Sequence, residues 1–179
     1  MTEAEAGRLI LEAATGARQL SADELQQVSE HVAQAGFDPD ARETVRGRLA
    51  GLAWKGRTLT GSDRLSPLEV HYLWHVVQLQ EWPAGTTLEA YAESIRRVVL
   101  DPTSGVFIHR FYGAWQVGII RESRDLRGPR GREWTLVQYR VSLGHWVTAF
   151  QPRAGLAELS KPQWSDLRWL RRPRRSSGP

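Results

Sequence analysis

The sequence changes period at Asp101-Pro102, and that change limits the fold more than any other feature. Before it, apolar residues recur every three to four positions behind explicit helix-start signals. After it, apolar and polar residues alternate, and β-branched and aromatic side chains take over. Such a chain is α+β, with a helical N-terminal region followed by an antiparallel sheet.

About five helices are expected in the first hundred residues. Residues 3–14 place Leu9, Ile10 and Ala13 on one side. Ser21-Ala-Asp-Glu24 is a capping box that opens a helix to about Ala35, before Gly36. Asp38-Pro39 supplies a cap and a first-turn proline for a third helix, carrying Val45, Leu49, Leu52 and Ala53 inward and ending near Gly56. Ser66-Pro67-Leu68-Glu69 opens a fourth, to about Glu81, which Trp82-Pro83-Ala84-Gly85 breaks. Thr86-Thr-Leu-Glu89 reads as a third capping box, leading into residues 88–100 with Leu88, Tyr91, Ile95, Val98 and Val99 on one stripe.

Four strand-like runs follow, at 106–112, 115–123, 134–142 and 145–151. Gly113-Ala114 and Leu143-Gly144 are read as two-residue turns, giving a four-stranded meander. With Ser142 opposite His145 and Arg140 opposite Val147, one face collects Val137, Tyr139, Val141, Trp146, Thr148 and Phe150. The first hairpin adds Ile108, Tyr112, Trp115, Val117 and Ile119 to that face, which helix 88–100 is expected to cover. The other face is expected to stay open and to display His109, Glu122, Arg140 and His145, beside Phe107 and Phe111. Three regions result: a helical part (1–65), an α+β part with the sheet (66–160), and a basic tail (161–179) whose last eight residues are expected to be disordered.

Charge is unevenly placed. Residues 1–100 hold 10 Lys+Arg against 14 Asp+Glu, whereas residues 101–179 hold 14 against 6. A C-terminal part with a net charge of +8 is suited to an anion, and nucleic acid is the commonest. Only Lys55 and Lys161 are lysines, a bias toward arginine that a GC-rich genome also produces. The absence of cysteine excludes disulfides, thiol nucleophiles and thiolate metal sites. No apolar run reaches membrane-spanning length and the start is too acidic for a signal peptide, so the cytoplasm is the expected compartment.

Phosphoryl transfer within RNA needs a base for the 2′-hydroxyl, an acid for the leaving oxygen and cations on the phosphate. The quartet His109, Glu122, Arg140 and His145 contains these types, although lone histidines are more often ordinary strand residues. Arg124, Arg127, Arg130 and Arg132 lie around Gly128-Pro129 in a loop that can neutralise phosphates or simply be solvated. Trp134 alternates toward the same face and is the tryptophan best placed to stack on a base. His71 and His75 share a helix face at zinc-compatible spacing but lack a third ligand nearby, so packing at a helix–sheet junction is the expectation. No metal or other cofactor is expected.

A helix followed by a four-stranded antiparallel meander, basic and carrying His, Glu and Arg on its open face, resembles the barnase/EndoU/colicin/RelE group of ribonuclease toxins. The resemblance covers roughly residues 86–151 and rests on element order and residue types. It implies Glu122 or His109 as general base, His145 as general acid, and Arg140 with Arg121 as phosphate clamp. It also implies RNA as substrate and an antitoxin as a protein partner. The 85 residues before it have no counterpart in the small toxins and are read as a delivery, dimerisation or autoinhibitory region. The expectation is a nucleic-acid-binding protein acting as a metal-independent endoribonuclease; the alternatives are a non-catalytic RNA- or DNA-binding module and a protein-interaction domain.

Overall fold

The computed structural model describes residues 1–45 and 47–175, apart from the side chain of Ser165. Capping decides where the helices begin. Thr2 caps α1 (Glu3–Thr15) and Ser21 caps α2 (Ala22–Ala35), each in a capping box closed by a glutamate three residues on. Ser66 does the same for α3 (Pro67–Tyr72), with Pro67 in the first turn. This helix runs on as a π-helical stretch, Leu73–Gln78, closed by Leu79 N donating to Trp74 O at 2.9 Å. α4 (Leu88–Leu100) has the expected bounds, but Thr87 caps it instead of Thr86, whose Oγ1 donates to Pro83 O.

The sheet is antiparallel and five-stranded: β1 (Gly105–Phe111), β2 (Ala114–Glu122), β3 (Trp134–Arg140), β4 (His145–Phe150) and β5 (Ser165–Arg171). Their spatial order is β4-β3-β2-β1-β5. The chain is therefore α+β as expected, but the sheet has five strands instead of four. The fifth comes from residues assigned to a basic tail: Leu167 and Trp169 alternate with Arg168, and the run pairs with β1. Arg171 Nε donates to Ser104 O at 2.8 Å, and Arg174 N to Thr103 O at 2.9 Å. Of the last eight residues, expected to be disordered, 176–179 lie outside the described residues.

The first face of the sheet is the one α4 covers. Tyr91, Ile95, Val98 and Val99 pack with Val106, Ile108, Val117, Ile119, Val137, Tyr139 and Trp146, and α1 and α2 join the same cluster through Ile10, Val28 and Val32. Each such side chain contributes about 1.5–3 kcal/mol on burial. Buried polar tips pin the layers: Tyr91 OH donates to Ala149 O at 2.8 Å and Trp146 Nε1 to Val32 O at 2.6 Å. The N-terminal helices thus share one core with the sheet. No helix among the described residues is long and apolar enough to cross a membrane.

Residues 38–56 form no helix among the described residues. Asp38 does cap two amides, Asp40 N and Ala41 N, but the chain then enters two short ladders, Glu43–Thr44 with Arg64–Leu65 and Ala53–Trp54 with Arg57–Thr58. Gly47, Gly51 and Gly56 each disfavour a helix by roughly 1 kcal/mol, and Lys55-Gly56, both at positive φ, make a tight hairpin instead. Val45, Leu49, Leu59 and Leu65 pack with Leu73 of the π-helical stretch, so the boundary expected at residue 65 falls inside a small core.

Turn geometry also differs from expectation. The β1–β2 turn is Tyr112-Gly113, both at positive φ, with Phe111 opposite Ala114. The shift is two residues, an even number, so the strand residues of that hairpin keep their expected faces, but Tyr112, expected on the apolar face, sits exposed in the turn instead. In the second hairpin the connection is four residues long and Arg140 faces His145. A register shift follows between Tyr139–Trp146 and Gln138–Thr148, leaving Val147 as the bulge residue. Thr148 and Phe150 consequently cross to the second face, where Phe150 packs near Phe107, Ile120 and Leu136.

That second face is not open. Leu159, Trp164, Leu167 and Trp169, from the C-terminal segment, cover Phe107, Ile120 and Leu136. Gly118 is required there, because the Phe107 ring occupies the space a Cβ would fill.

Candidate functional site

His109, Gln116, Arg140 and His145 are direct cross-strand partners on four neighbouring strands, and so share one row on the second face. At ~4.8 Å per strand, His109 and His145 are about 14 Å apart. Glu122 lies six residues along β2 from Gln116, about 20 Å away at ~3.3 Å per residue. The sheet therefore brings together three of the four residues expected to act jointly, and leaves Glu122 at the other end.

His109 does not reach solvent; it is 0 % exposed. Its Nε2 lies 2.6 Å from Gln138 Oε1, and the Trp164 ring sits 4.8 Å away. Burial pushes its pKa down against the raising effect of the contacts to Gln138 and Arg110 O. It is a core histidine and cannot meet a substrate in this state. Glu122 is buried too, and accepts from Arg124 Nη2 at 3.1 Å.

Arg140 and His145 form the surviving pair. They line a groove of about 830 Å³ between β4 and residues 38–44, with Asp38, Glu43 and Thr44 on its walls. The Arg140 side chain has no hydrogen bond or ion pair among the described residues, and its Nε is buried without a partner, as is His145 Nδ1. The amides of Asp40 and Ala41, with the neighbouring His145 and Arg42, hold the Asp38 carboxyl below the usual range against its desolvation.

The groove adjoins a smaller cleft of about 350 Å³ lined by His71, His75, Trp74 and Arg48, with Glu43, Thr44 and Val147 common to both. Four rings stack in sequence here: Phe37, His71, His75 and Phe150, at centroid spacings of 5.0, 5.7 and 5.9 Å. His71 is half-buried against the bulge at Val147, and its pKa is pushed down to about 3 by desolvation and then by His75. His75 Nδ1 lies 3.0 Å from Glu81 Oε2. With parallel rings and separately engaged nitrogens the two histidines do not converge, and no group of three or more potential metal ligands occurs among the described residues. They pack at a helix–sheet junction.

Most loop arginines are already paired. Arg121 binds Asp101 at 3.0 Å and Asp125 at 2.6 Å, too far from Arg140 along the sheet to share its phosphate. Arg124 pairs with Glu122 at 3.1 Å and Arg127 with Glu133 at 3.3 Å. Arg132 pairs with Glu81 and donates to Gln151 O at 2.6 Å. Arg130 meets only a backbone carbonyl, Leu79 O, at 3.0 Å. Trp134 is half-buried at the end of β3, beside Gly155.

Sequence reasoning missed Glu81, Gln116, Gln138 and Arg153. Glu81 carried a usable signal, being an acidic residue at the end of a helix whose apolar side bears two histidines. Comparison with protein-family models, with curated proteins and with solved structures found no match.

Proposed function

We propose that the protein binds nucleic acid, RNA first, in the groove of Arg140 and His145, and cleaves it without a metal ion. The observation that carries this reading is Arg140, a partly buried guanidinium on a groove floor with no carboxylate partner among the described residues. A phosphodiester offers the missing charge in bidentate geometry. The +8 balance of residues 101–179 favours the same ligand class. A helix leading into antiparallel strands also fits the element order of the ribonuclease-toxin group.

In cleavage, the ribose 2′-hydroxyl attacks the adjacent phosphorus and the P–O5′ bond breaks, giving a 2′,3′-cyclic phosphate and a 5′-hydroxyl. Glu43 on the groove wall takes the 2′ proton, His145 delivers one to the departing oxygen as general acid, and Arg140 holds the phosphate oxygens. The roles assigned to His109 and Glu122 lapse, since one is enclosed and the other lies at the far end of β2.

Binding without cleavage is the second reading, favoured by the burial of His109, which leaves the row with one accessible histidine. Incubation of the full chain with single-stranded RNA in EDTA separates the two, with R140A, H145A and E43Q alongside. Cleavage that is lost in R140A and H145A supports the first. Salt-dependent binding with no product leaves the second, and cleavage that survives both substitutions removes this groove as the site.

A further inference from the structure

At the end of β3 opposite Arg140, Trp134 borders a separate cavity of about 500 Å³. Its wall carries three cations, Arg130, Arg132 and Arg153, against one carboxylate, Glu133. Glu133 is paired with Arg127, which does not line the cavity. Arg132 is tied down by Glu81 and Gln151 O, but the other two cations are available. Arg130 uses only Nε, on Leu79 O, and Arg153 has no partner among the described residues.

The cations stand on a fixed scaffold. Gly128 N donates to Glu81 O at 2.9 Å, and Gly131 N to Gly128 O at 2.9 Å. A Cβ at Gly128 would collide with the carbonyls of Gln80, Glu81 and Trp82, so this close approach of the loop needs glycine. Trp134 is held against Gly155, whose Cβ position would lie 2.9 Å from its Cδ1, and its indole N–H makes no hydrogen bond among the described residues.

Arginine forks recognise phosphate oxygens, and an indole face offers a base about 1–3 kcal/mol of stacking. A volume of about 500 Å³ suits a small organic ligand. We propose that this cavity binds a nucleoside monophosphate, with the phosphate between Arg130 and Arg153 and the base against Trp134. The site shares no lining residue with the Arg140 groove and does not depend on RNA cleavage there.

Calorimetric titration of the full chain with uridine 5′-monophosphate, inorganic phosphate and uridine tests the assignment. The monophosphate binds saturably, phosphate competes for the same site, and uridine alone binds more weakly than the monophosphate. The double variant Arg130→Ala/Arg153→Ala weakens monophosphate binding about tenfold or more, since each arginine removes a charge-assisted contact. Arg8→Ala, which removes one positive charge on α1, leaves it unchanged. Both cavity arginines are exposed, and far-UV circular dichroism verifies the fold of the double variant. Absence of saturable monophosphate binding, or equal affinity in the double variant, overturns the proposal whatever the RNA assay gives.

Discussion

His75 Nδ1 lies 3.0 Å from Glu81 Oε2, and that contact sits at the centre of a buried network joining α3 to the sheet. The Glu81 side chain is 1 % exposed and also accepts from Gln151 N at 2.9 Å and from Arg132. Glu81→Ala would leave Arg132 facing the interior without its counter-charge and a buried amide without an acceptor. The expected loss is about 3–5 kcal/mol of stability, read as a lower urea midpoint. A midpoint unchanged by Glu81→Ala would show that the network is solvated and contributes nothing.

Acid should destabilise the protein through His71. In the unfolded chain this imidazole takes a proton near pH 6.5, whereas in the folded chain it stays neutral until about pH 3. Between those values the unfolded state binds more protons, so stability falls as pH drops through the window, by up to about 1.4 kcal/mol per pH unit. His71→Leu should flatten that part of the curve in chemical-denaturation series between pH 6.5 and pH 4. Parallel curves for the variant and the parent chain would assign the acid sensitivity to another group.

Capping chemistry was legible because it is local. Ser21 and Ser66 do what a serine three residues before a glutamate does, and the alternation in 106–122 sorted the first hairpin onto its two faces. What was not legible depends on contacts distant in sequence. The bulge at Val147 has no glycine or proline to announce it, yet it moves Thr148 and Phe150 to the opposite face. Trp164 and Trp169 lie in the segment read as a tail beside Arg171-Arg-Pro-Arg-Arg, and only its pairing with β1 sets Trp169 on Phe107 and brings Trp164 against His109. Arg140 and His145 survived as a pair because a register error of two leaves a residue on its own face.

Gly118→Ala tests that covered face. Its Cβ would enter the space of the Phe107 ring, which is itself wedged between Trp164 and Trp169. Overpacking of this kind costs about 1–3 kcal/mol, so the thermal midpoint should fall. If Gly118→Ala is neutral, Phe107 has room to turn and the second face is looser than its contacts indicate.

If the Arg140 groove holds a phosphate of single-stranded RNA, Arg140→Ala should change the salt dependence of binding as well as its strength. Losing one neutralised phosphate lowers the slope of log K against log salt by about 0.7. Fluorescence-anisotropy titrations at several salt concentrations measure it. A weaker but equally salt-dependent variant would mean that Arg140 shapes the groove without touching the phosphate.

Removing residues 161–179 separates a basic tail from a structural strand. A tail can be cut away at little cost, with only a loss of positive charge. As β5, the segment covers one edge of β1 and places Leu167 and Trp169 on Phe107, so its removal uncovers both an unpaired strand edge and an aromatic surface. The truncated chain should aggregate, or lose cooperative unfolding. Because truncation is severe, Trp169→Ala provides a milder version that keeps the strand and its backbone pairing. It should cost about 3 kcal/mol through the cavity it leaves against Phe107. A soluble, cooperatively folding truncated chain, or a Trp169→Ala variant as stable as its parent, would return the segment to the role of a tail.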